Sequence, residues 1–594
     1  MPTHRSTARR HWSRALCVLP SVLALLAILS VPALAERDPD DLEELIPHHE
    51  TQLERDRLGA RGQAPTDASR ILADSPPLAP IRNCAEWEPV TGVLIRYPLG
   101  LPYELIRDFD DHVTIHTIVS SGNHAAAISN FVANGVDTSR VQWLVRPTDS
   151  IWTRDYGPWF VFDGGGDLTI IDHVYNRPFR PNDNQVPGAF GLQQGIPVVG
   201  HDMWHTGGNY MTDGALFSMS TDLAYNEALS ENGMTPSQVD ALMSDYYGVA
   251  QYNVVTDISL SGIHHIDTWA KFLDEDTVLI KRVGVNQLTY GALEDRATLI
   301  GSLTASTGEP YDVHRVFCHS IGTNKPASYT NSLFLNERIY VPTFNHATRD
   351  SNALNAYRAA APGYDVRGYP YGGWLTDDAL HCRTKGILDA GMLRVAHVPI
   401  RADVEGPVLI EALVDDRSET GITAVDLRYR ADGGAWTTVA MTSAGGDDWE
   451  GAIPGVVVDT NIDYYVLAAD ASGREEGHPR VAPAAWHSFT MLASATDAPT
   501  LRAGAAEPRA FPNPFRDRVQ FSFELRSPDS IELAVYDVAG RHVRDLAQGP
   551  RAAGPHQIAW DGRDASGRRV PAGVYYFRLR GLGIQHSRPV VITR

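Results

Sequence analysis

The chain has 594 residues, of which 43% are hydrophobic and 21% charged, and its formal net charge is −21. That balance excludes a disordered or fibrous protein, and the length predicts about four domains rather than a single core. A surface this acidic is a poor partner for nucleic acid and would draw in a cationic substrate.

Residues 1–35 read as an export signal, with a basic start from Arg5 to Arg14, an apolar run from Ala15 to Leu29 and a small-residue cleavage site at Ala33-Leu34-Ala35. The run is shorter than the ~20 residues of a membrane span and is broken by Pro20, which favours a cleaved peptide over an anchor. The expected location is therefore secreted or cell-surface, with no integral membrane span elsewhere. Removing Arg5, Arg9, Arg10 and Arg14 takes the net charge from −21 to −25. Residues 36–80 are polar, charged and proline-containing, with at most one short helix around Leu42 to Leu58, as in a pro-segment or linker.

From residue 81 to 397 short β-rich runs alternate with helical patterns, which predicts an α/β domain. Predicted strands include Val90 to Tyr97, Val113 to Val119, Leu168 to Val174, Ile196 to Val199, Thr277 to Val283, Ser332 to Val341 and Leu393 to Val398. Predicted helices are Asn123 to Asn134, Thr235 to Tyr247, Gln287 to Ser302 and Ser351 to Ala361. Residues 398–492 contain only strand patterns separated by turns such as Asp432-Gly433-Gly434, at the spacing of a β-sandwich. A flexible stretch at 493–509 leads to a last all-β module at 510–594.

Removal of the leader leaves Cys84, Cys318 and Cys382, an odd number for an exported protein. Either Cys84 and Cys318 pair and leave Cys382 free, or all three are separate and two are packed as small core residues. The surroundings of Cys382 suggest chemistry. Trp152-Thr153-Arg154-Asp155-Tyr156, His265-Ile266-Asp267 and His381-Cys382 together supply two carboxylates, an imidazole and a thiol. A guanidinium keeps its proton at any biological pH, so a cleft holding one away from water needs carboxylates such as Asp155 and Asp267. Its carbon is a weak electrophile suited to a thiolate, provided that a histidine or a positive charge supports the deprotonated sulfur. Cys382 and His265 match those parts. Adjacent residues on a strand face opposite ways, which predicts that His265 and Asp267 share a face while His264 turns away.

The segments Trp152 to Trp159, Thr206-Gly207-Gly208-Asn209-Tyr210, His265-Ile266-Asp267 and His381-Cys382 resemble, in that order, the signature of the agmatine deiminase and bacterial, Porphyromonas-type peptidylarginine deiminase family, over roughly residues 80 to 396. The resemblance implies a five-bladed ββαβ propeller, the pentein fold, followed here by two immunoglobulin-like sandwiches. It implies Cys382 as the nucleophile that forms a covalent thiouronium, His265 as the acid and base, and Asp155 and Asp267 as the carboxylates that grip the guanidinium. No cofactor is implied. The final module resembles the domain of flagellar hook-capping proteins and of type IX secretion sorting tails, which implies secretion machinery as a partner.

Other positions carry open alternatives. Asp155 could equally pair with its neighbour Arg154. Asn331 corresponds to a family asparagine, or is an ordinary turn residue. Trp152 is a wall for the arginine arm, or core. Arg177 matches the first arginine with which the peptidyl enzymes hold a C-terminal carboxylate. Phe179 stands between Pro178 and Arg180, so Arg180 departs from the family spacing at the second position. No metal site is predicted: His201 and His205 lie four apart but read as loop, without a catalytic glutamate or a Cys-x-x-Cys pair.

Three functions compete. The first is an exported enzyme deiminating arginine in peptides or proteins. The second is a hydrolase of agmatine or another small guanidine. The third is a secreted binding protein built on a propeller relic, which the retention of Asp155, His265, Asp267 and Cys382 together makes improbable.

Overall fold

The computed structural model describes His48, Glu54 and residues 74–258, 262–493 and 509–592, except 512, 514, 517, 526–528, 538–540, 553 and 582–583. The export signal, most of the pro-segment and most of the 493–509 linker lie outside the described residues.

Five small sheets between Arg82 and Leu388 share one plan: an antiparallel pair, a helical crossover, then a strand parallel to the second of the pair. In the first, Trp159–Phe162 runs antiparallel to Leu168–Tyr175, and helix Val186–Gln194 returns the chain to Val198–His205 alongside it. In the second, Met211–Thr212 pairs with Phe217–Thr221, and helices Leu223–Asn232 and Pro236–Tyr247 lead to Gln251–Val255. Ala270–Phe272, Thr277–Arg282, helix Tyr290–Ser302 and Asp312–Phe317 make the third. The fourth comprises Leu333–Leu335, Arg338–Thr343, helix Ala347–Ala360 and Asp365–Pro370. The fifth joins the two ends of the region: Lys385–Leu388 pairs antiparallel with Val90–Tyr97, which is followed by helix Tyr103–Asp110 and Thr114–Val119.

Strands covered on both faces read as continuous rather than alternating apolar runs. Leu168–Tyr175 is buried along its entire length. Helix Val186–Gln194 escapes the sequence reading because Pro187, Gly188 and Gly191 lower its helical propensity. The reason for Gly191 is spatial, since a Cβ there would lie 2.3 Å from Val198 Cγ2. Helices Tyr103–Asp110 and Leu223–Asn232 are likewise absent from the sequence reading, being short and, in the second case, with few buried residues. The strand placed from sequence at Ile196 to Val199 extends from Val198 to His205, so His201 and His205 lie on a strand and not in a loop.

Beyond the fifth sheet the pattern becomes period two, as in Val408–Asp416, whose alternate residues Val408, Ile410, Ala412 and Val414 are buried. Its sheet has the order Leu393–Ala396, Val408–Asp416, Asp448–Ile453, Thr442–Gly445, and packs on a second sheet centred on Thr460–Asp470. The strand Leu393–Ala396, grouped by sequence with the α/β region, thus belongs to the sandwich. The last module has two antiparallel sheets around Phe521, Leu533, Val535 and Phe577, and touches the second α/β sheet through Val574 and Val591 against Leu216 and Phe217. Cys84, Cys318 and Cys382 are all buried free thiols, so Cys84 and Cys318 do not pair. Among the described residues no helix is long and apolar enough to cross a membrane.

Candidate active site

Each of the five sheets is preceded by a short turn just before its first antiparallel strand, and these turns converge. They are Thr153–Tyr156, Gly207–Asn209, Ile266–Thr268, the turn closed by Asn331 N–H donating to Ser328 O at 3.0 Å, and His381–Arg383. The turns at Thr153–Tyr156, Gly207–Asn209, Ile266–Thr268 and His381–Arg383 contact one another in the order expected of a closed ring of repeats. Trp152 and Asp155, Gly208, His265 and Asp267, Asn331 and Cys382 are thereby brought together from positions up to 230 residues apart.

His265 and Asp267 do reach the site together, but not for the reason the sequence suggested. Ile266–Thr268 is a tight helical turn rather than a strand. His264 turns away because its backbone takes the left-handed conformation, φ 61°, and its Nδ1 lies 2.8 Å from Asp257 Oδ2. Asn209 holds the segment from beneath: its Oδ1 accepts Ile266 N–H at 3.1 Å and Thr221 N–H at 3.1 Å. Gly208 must be glycine for lack of room. A Cβ there would lie 2.6 Å from Asp155 Oδ1, 2.7 Å from His265 Nδ1 and 3.3 Å from Asp267 Oδ2. Its N–H donates to Asp155 Oδ1 at 3.2 Å.

Asp155 does not pair with Arg154, which instead reaches Glu86 at 3.3 Å. Its Oδ1 lies 3.5 Å from His265 Nδ1, beyond a formed hydrogen bond, and its Oδ2 is bonded to His48 Nε2. Burial would raise its pKa; His48 and His265 outweigh burial and hold the carboxyl well below its usual range. Asp267 Oδ2 accepts from His381 Nδ1 at 2.7 Å and Asn331 Nδ2 at 3.3 Å. His381 Nε2 in turn meets Glu86 Oε2 at 2.5 Å, and Glu86 also receives Lys271 Nζ at 2.8 Å. Glu86 and His381, unread in the sequence, thus fix one edge of Asp267 and leave Oδ1 for a ligand. Among the described residues, buried Asp267 Oδ1, both ring nitrogens of His265 and Trp152 Nε1 have no hydrogen-bond partner, the condition of a site shaped for polar groups of a substrate.

Cys382 is fully buried, with Sγ 3.2 Å from Asn331 Nδ2 and 3.6 Å from Asp267 Oδ2. Asn331 Oδ1 also accepts the N–H groups of Ala379 at 3.0 Å and Cys382 at 3.3 Å, so Asn331 shapes the turn that carries Cys382 rather than an incidental loop. The sequence reading called for a cation beside the sulfur. Burial and the carboxylates of Asp267, Asp378 and Asp155 instead push the thiol pKa well up. Burial lowers the His265 pKa to about 4, with Asp155 only partly opposing. Both shifts favour the neutral thiol and the neutral imidazole.

Arg177 and Arg180 are both buried beside this centre. Arg180 N–H donates to Arg177 O at 2.9 Å, closing a turn with Pro178 and Phe179 at its corners, so the extra residue brings the two arginines to the ends of one β-turn. Arg180 binds the Glu54 carboxylate with both Nε, at 3.1 Å, and Nη2, at 3.3 Å. Arg177 Nε donates to His48 O at 3.2 Å. Trp152 faces the His48 ring, with centroids 4.4 Å apart and planes at 14°.

His48, Asp155 and His265 present ligand atoms within 4.8 Å of one another, as do His48, Asp378 and Cys382, so either trio could hold a metal ion. His201 and His205 take no part in these: His201 Nε2 is 3.0 Å from Tyr247 OH, and burial keeps both imidazoles neutral.

The sequence of residues 82–387 matches the family model of Porphyromonas-type peptidyl-arginine deiminase, and residues 514–582 match that of the FlgD Ig-like domain. A Shewanella baltica (strain OS223) protein named for agmatine deiminase is 22% identical over 293 residues, which cover 43% of this chain and 78% of that one. Of solved structures, the agmatine deiminase of Enterococcus faecalis is 17% identical with a TM-score of 0.48, covering 54% of this chain and 99% of its own. A Porphyromonas gingivalis protein described as an arginine deiminase is 20% identical with a TM-score of 0.46, covering 52% and 98%.

Proposed function

This chain belongs to the Porphyromonas-type peptidyl-arginine deiminase family and is a hydrolase of guanidino C–N bonds, and from that premise we propose that it is an exported enzyme converting peptidyl arginine to citrulline. The observation that carries this reading is the convergence of Cys382, His265, Asp267 and Asp155 into one buried cluster with unpartnered polar atoms. Arg177 and Arg180 at its rim favour a peptide that ends in arginine over agmatine, which has no carboxylate for them to hold. The five like-planned sheets, with the last strand closing on the first, support a five-bladed propeller. The export pattern at residues 1–35 and the Ig-like module at 514–582 support passage out of the cell, with secretion machinery as a partner.

In the proposed mechanism the guanidinium lies between Asp155 and Asp267. Its positive charge, replacing water in the cavity, favours the thiolate of Cys382 over the thiol. Sulfur attacks the guanidinium carbon as its proton passes to His265. The tetrahedral adduct collapses by breaking one C–N bond, His265 returns the proton to the departing nitrogen, and ammonia leaves behind a thiouronium on Cys382. His265 then takes a proton from water, whose oxygen adds to the same carbon. The C–S bond breaks, the hydroxyl proton passes to the sulfur and His265 releases its proton to solvent, where it joins the ammonia as ammonium, leaving the ureido group of citrulline. One water is consumed and one ammonia released.

Citrulline formation on peptides ending in arginine, abolished in Cys382→Ala, is the expected result; turnover unaffected by that substitution contradicts the assignment. Arg177→Ala is expected to raise KM for the peptide about tenfold or more and to leave the ratio for agmatine unchanged, consistent with loss of one charge-assisted pair. The relatives named for agmatine deiminase support agmatine as the second reading. Faster turnover of agmatine than of the peptide would establish it.

A further inference from the structure

The site already has an occupant, which comes from this chain. His48 is buried, stacked face to face on Trp152 at 4.4 Å and edge-on to His265 at 5.2 Å. Its Nε2 bonds Asp155 Oδ2, and it presents a ring nitrogen to Asp378 and to the Cys382 sulfur within the same 4.8 Å cluster. Its carbonyl oxygen accepts from Arg177, and six residues on, Glu54 gives its carboxylate to Arg180. These are the groups that the proposed mechanism assigns to an arginine and its carboxylate. An imidazole with an N–H toward Asp155 shares what matters in a guanidinium: it is flat, donates hydrogen bonds in its plane and can carry positive charge. Unlike a guanidinium, it offers the thiolate no carbon bearing an amino leaving group. Substrate and His48 cannot share this space.

We infer that His48 and Glu54 together act as an intramolecular substrate mimic, which keeps the active site closed until they are displaced or cut away. The assignment of its occupied groups to substrate rests on the reading proposed above; the blockade of Cys382 does not. An occupant carried on the same chain competes at an effective concentration set by its covalent link, so even weak intrinsic affinity suffices to fill the site. If ~99% of molecules are closed, the apparent KM is raised ~100-fold while kcat is unchanged. Glu54 adds a second anchor: His48 supplies the part that fills the catalytic cavity, and Glu54 the part that holds it through Arg180.

The test uses the full chain, with His48→Ala and Glu54→Ala compared against the unaltered protein. Alkylation of Cys382 by iodoacetamide, followed by peptide mass mapping, is expected to be at least about tenfold faster in both variants, with Cys84 and Cys318 remaining unlabelled. Equal rates in all three proteins overturn the inference whether or not any guanidine compound is turned over. Labelling of Cys84 and Cys318 along with Cys382 would reveal unfolding of one variant, and the other then decides. With a peptide ending in arginine, the variants are expected to show an apparent KM lower by about tenfold or more at unchanged kcat, as for release of a competitor. Fast alkylation in the variants without turnover of either substrate sinks the deiminase substrate reading and leaves the blockade standing.

Discussion

At Gly208 a single missing methyl group defines how close the catalytic groups stand. Two of the atoms that an added Cβ would strike, Asp155 Oδ1 and His265 Nδ1, sit on side chains to which the proposed mechanism gives parts, so accommodation moves those groups. Gly208→Ala is expected to lower kcat/KM about 100-fold, the scale of a 1 Å misplacement, with little change in thermal unfolding. Unchanged kcat/KM would show that the turn yields instead. Cys382, His265, Asp267 and Asp155 were legible in the sequence because two acids, an imidazole and a thiol have few joint uses beyond guanidinium chemistry. Glu86, His381, His48 and Glu54 were given no part, because what each does depends on a partner more than 100 residues away. His265 was found by a wrong argument: the alternation of a strand was invoked where a helical turn does the positioning.

The recurring element is a tight turn set just before an antiparallel strand, and the chain uses it to aim a side chain at a common centre. Backbone hydrogen bonds, not the polar side chains themselves, fix these turns; Asn209 and Asn331 then tie neighbouring turns together through their amides. The loop at Arg177 to Arg180 follows the same economy. Phe179, an apparent disruption of the arginine spacing when read as text, is a corner residue of the turn that sets Arg177 and Arg180 side by side. Deleting Phe179 removes the bond from Arg180 N–H to Arg177 O and is expected to raise KM for a peptide ending in arginine about tenfold, leaving agmatine unaffected. An unaltered peptide KM would mean that the two arginines act without the turn. Strand patterns were readable because these strands are short apolar runs bounded by turns; the helices with glycine, proline or few buried positions were not, since packing rather than propensity holds them.

Across the whole molecule, the change from α/β to all-β was visible in composition, but the place where one structure gives way to the next was not. Leu393–Ala396 lies in the sheet of the sandwich, antiparallel to Val408–Asp416, with Leu393 and Val395 buried in its core. A chain ending at Val398 leaves those two side chains without the partners they pack on, and is expected to be less stable than one ending at Leu492 by about 3–6 kcal/mol, from burial of two apolar side chains. Urea unfolding followed by tryptophan fluorescence measures the difference, and equal midpoints would show that the strand contributes nothing. Further links tie the same two bodies: Arg474 holds Asp389 through Nε at 2.9 Å, and Arg401 holds Asp276 at 2.7 Å.

That borrowed strand begins only eleven residues after Cys382. A crossover in the gene that exchanged the sandwich at the apparent boundary near residue 398 would separate the strand from the sheet it completes. A chimaera with another rear module must instead join before Leu393, on the short stretch between the catalytic turn and the sandwich. The α/β region and the module behind it thus share this strand across their junction, and a clean separation of the two falls before Leu393 and not near residue 398.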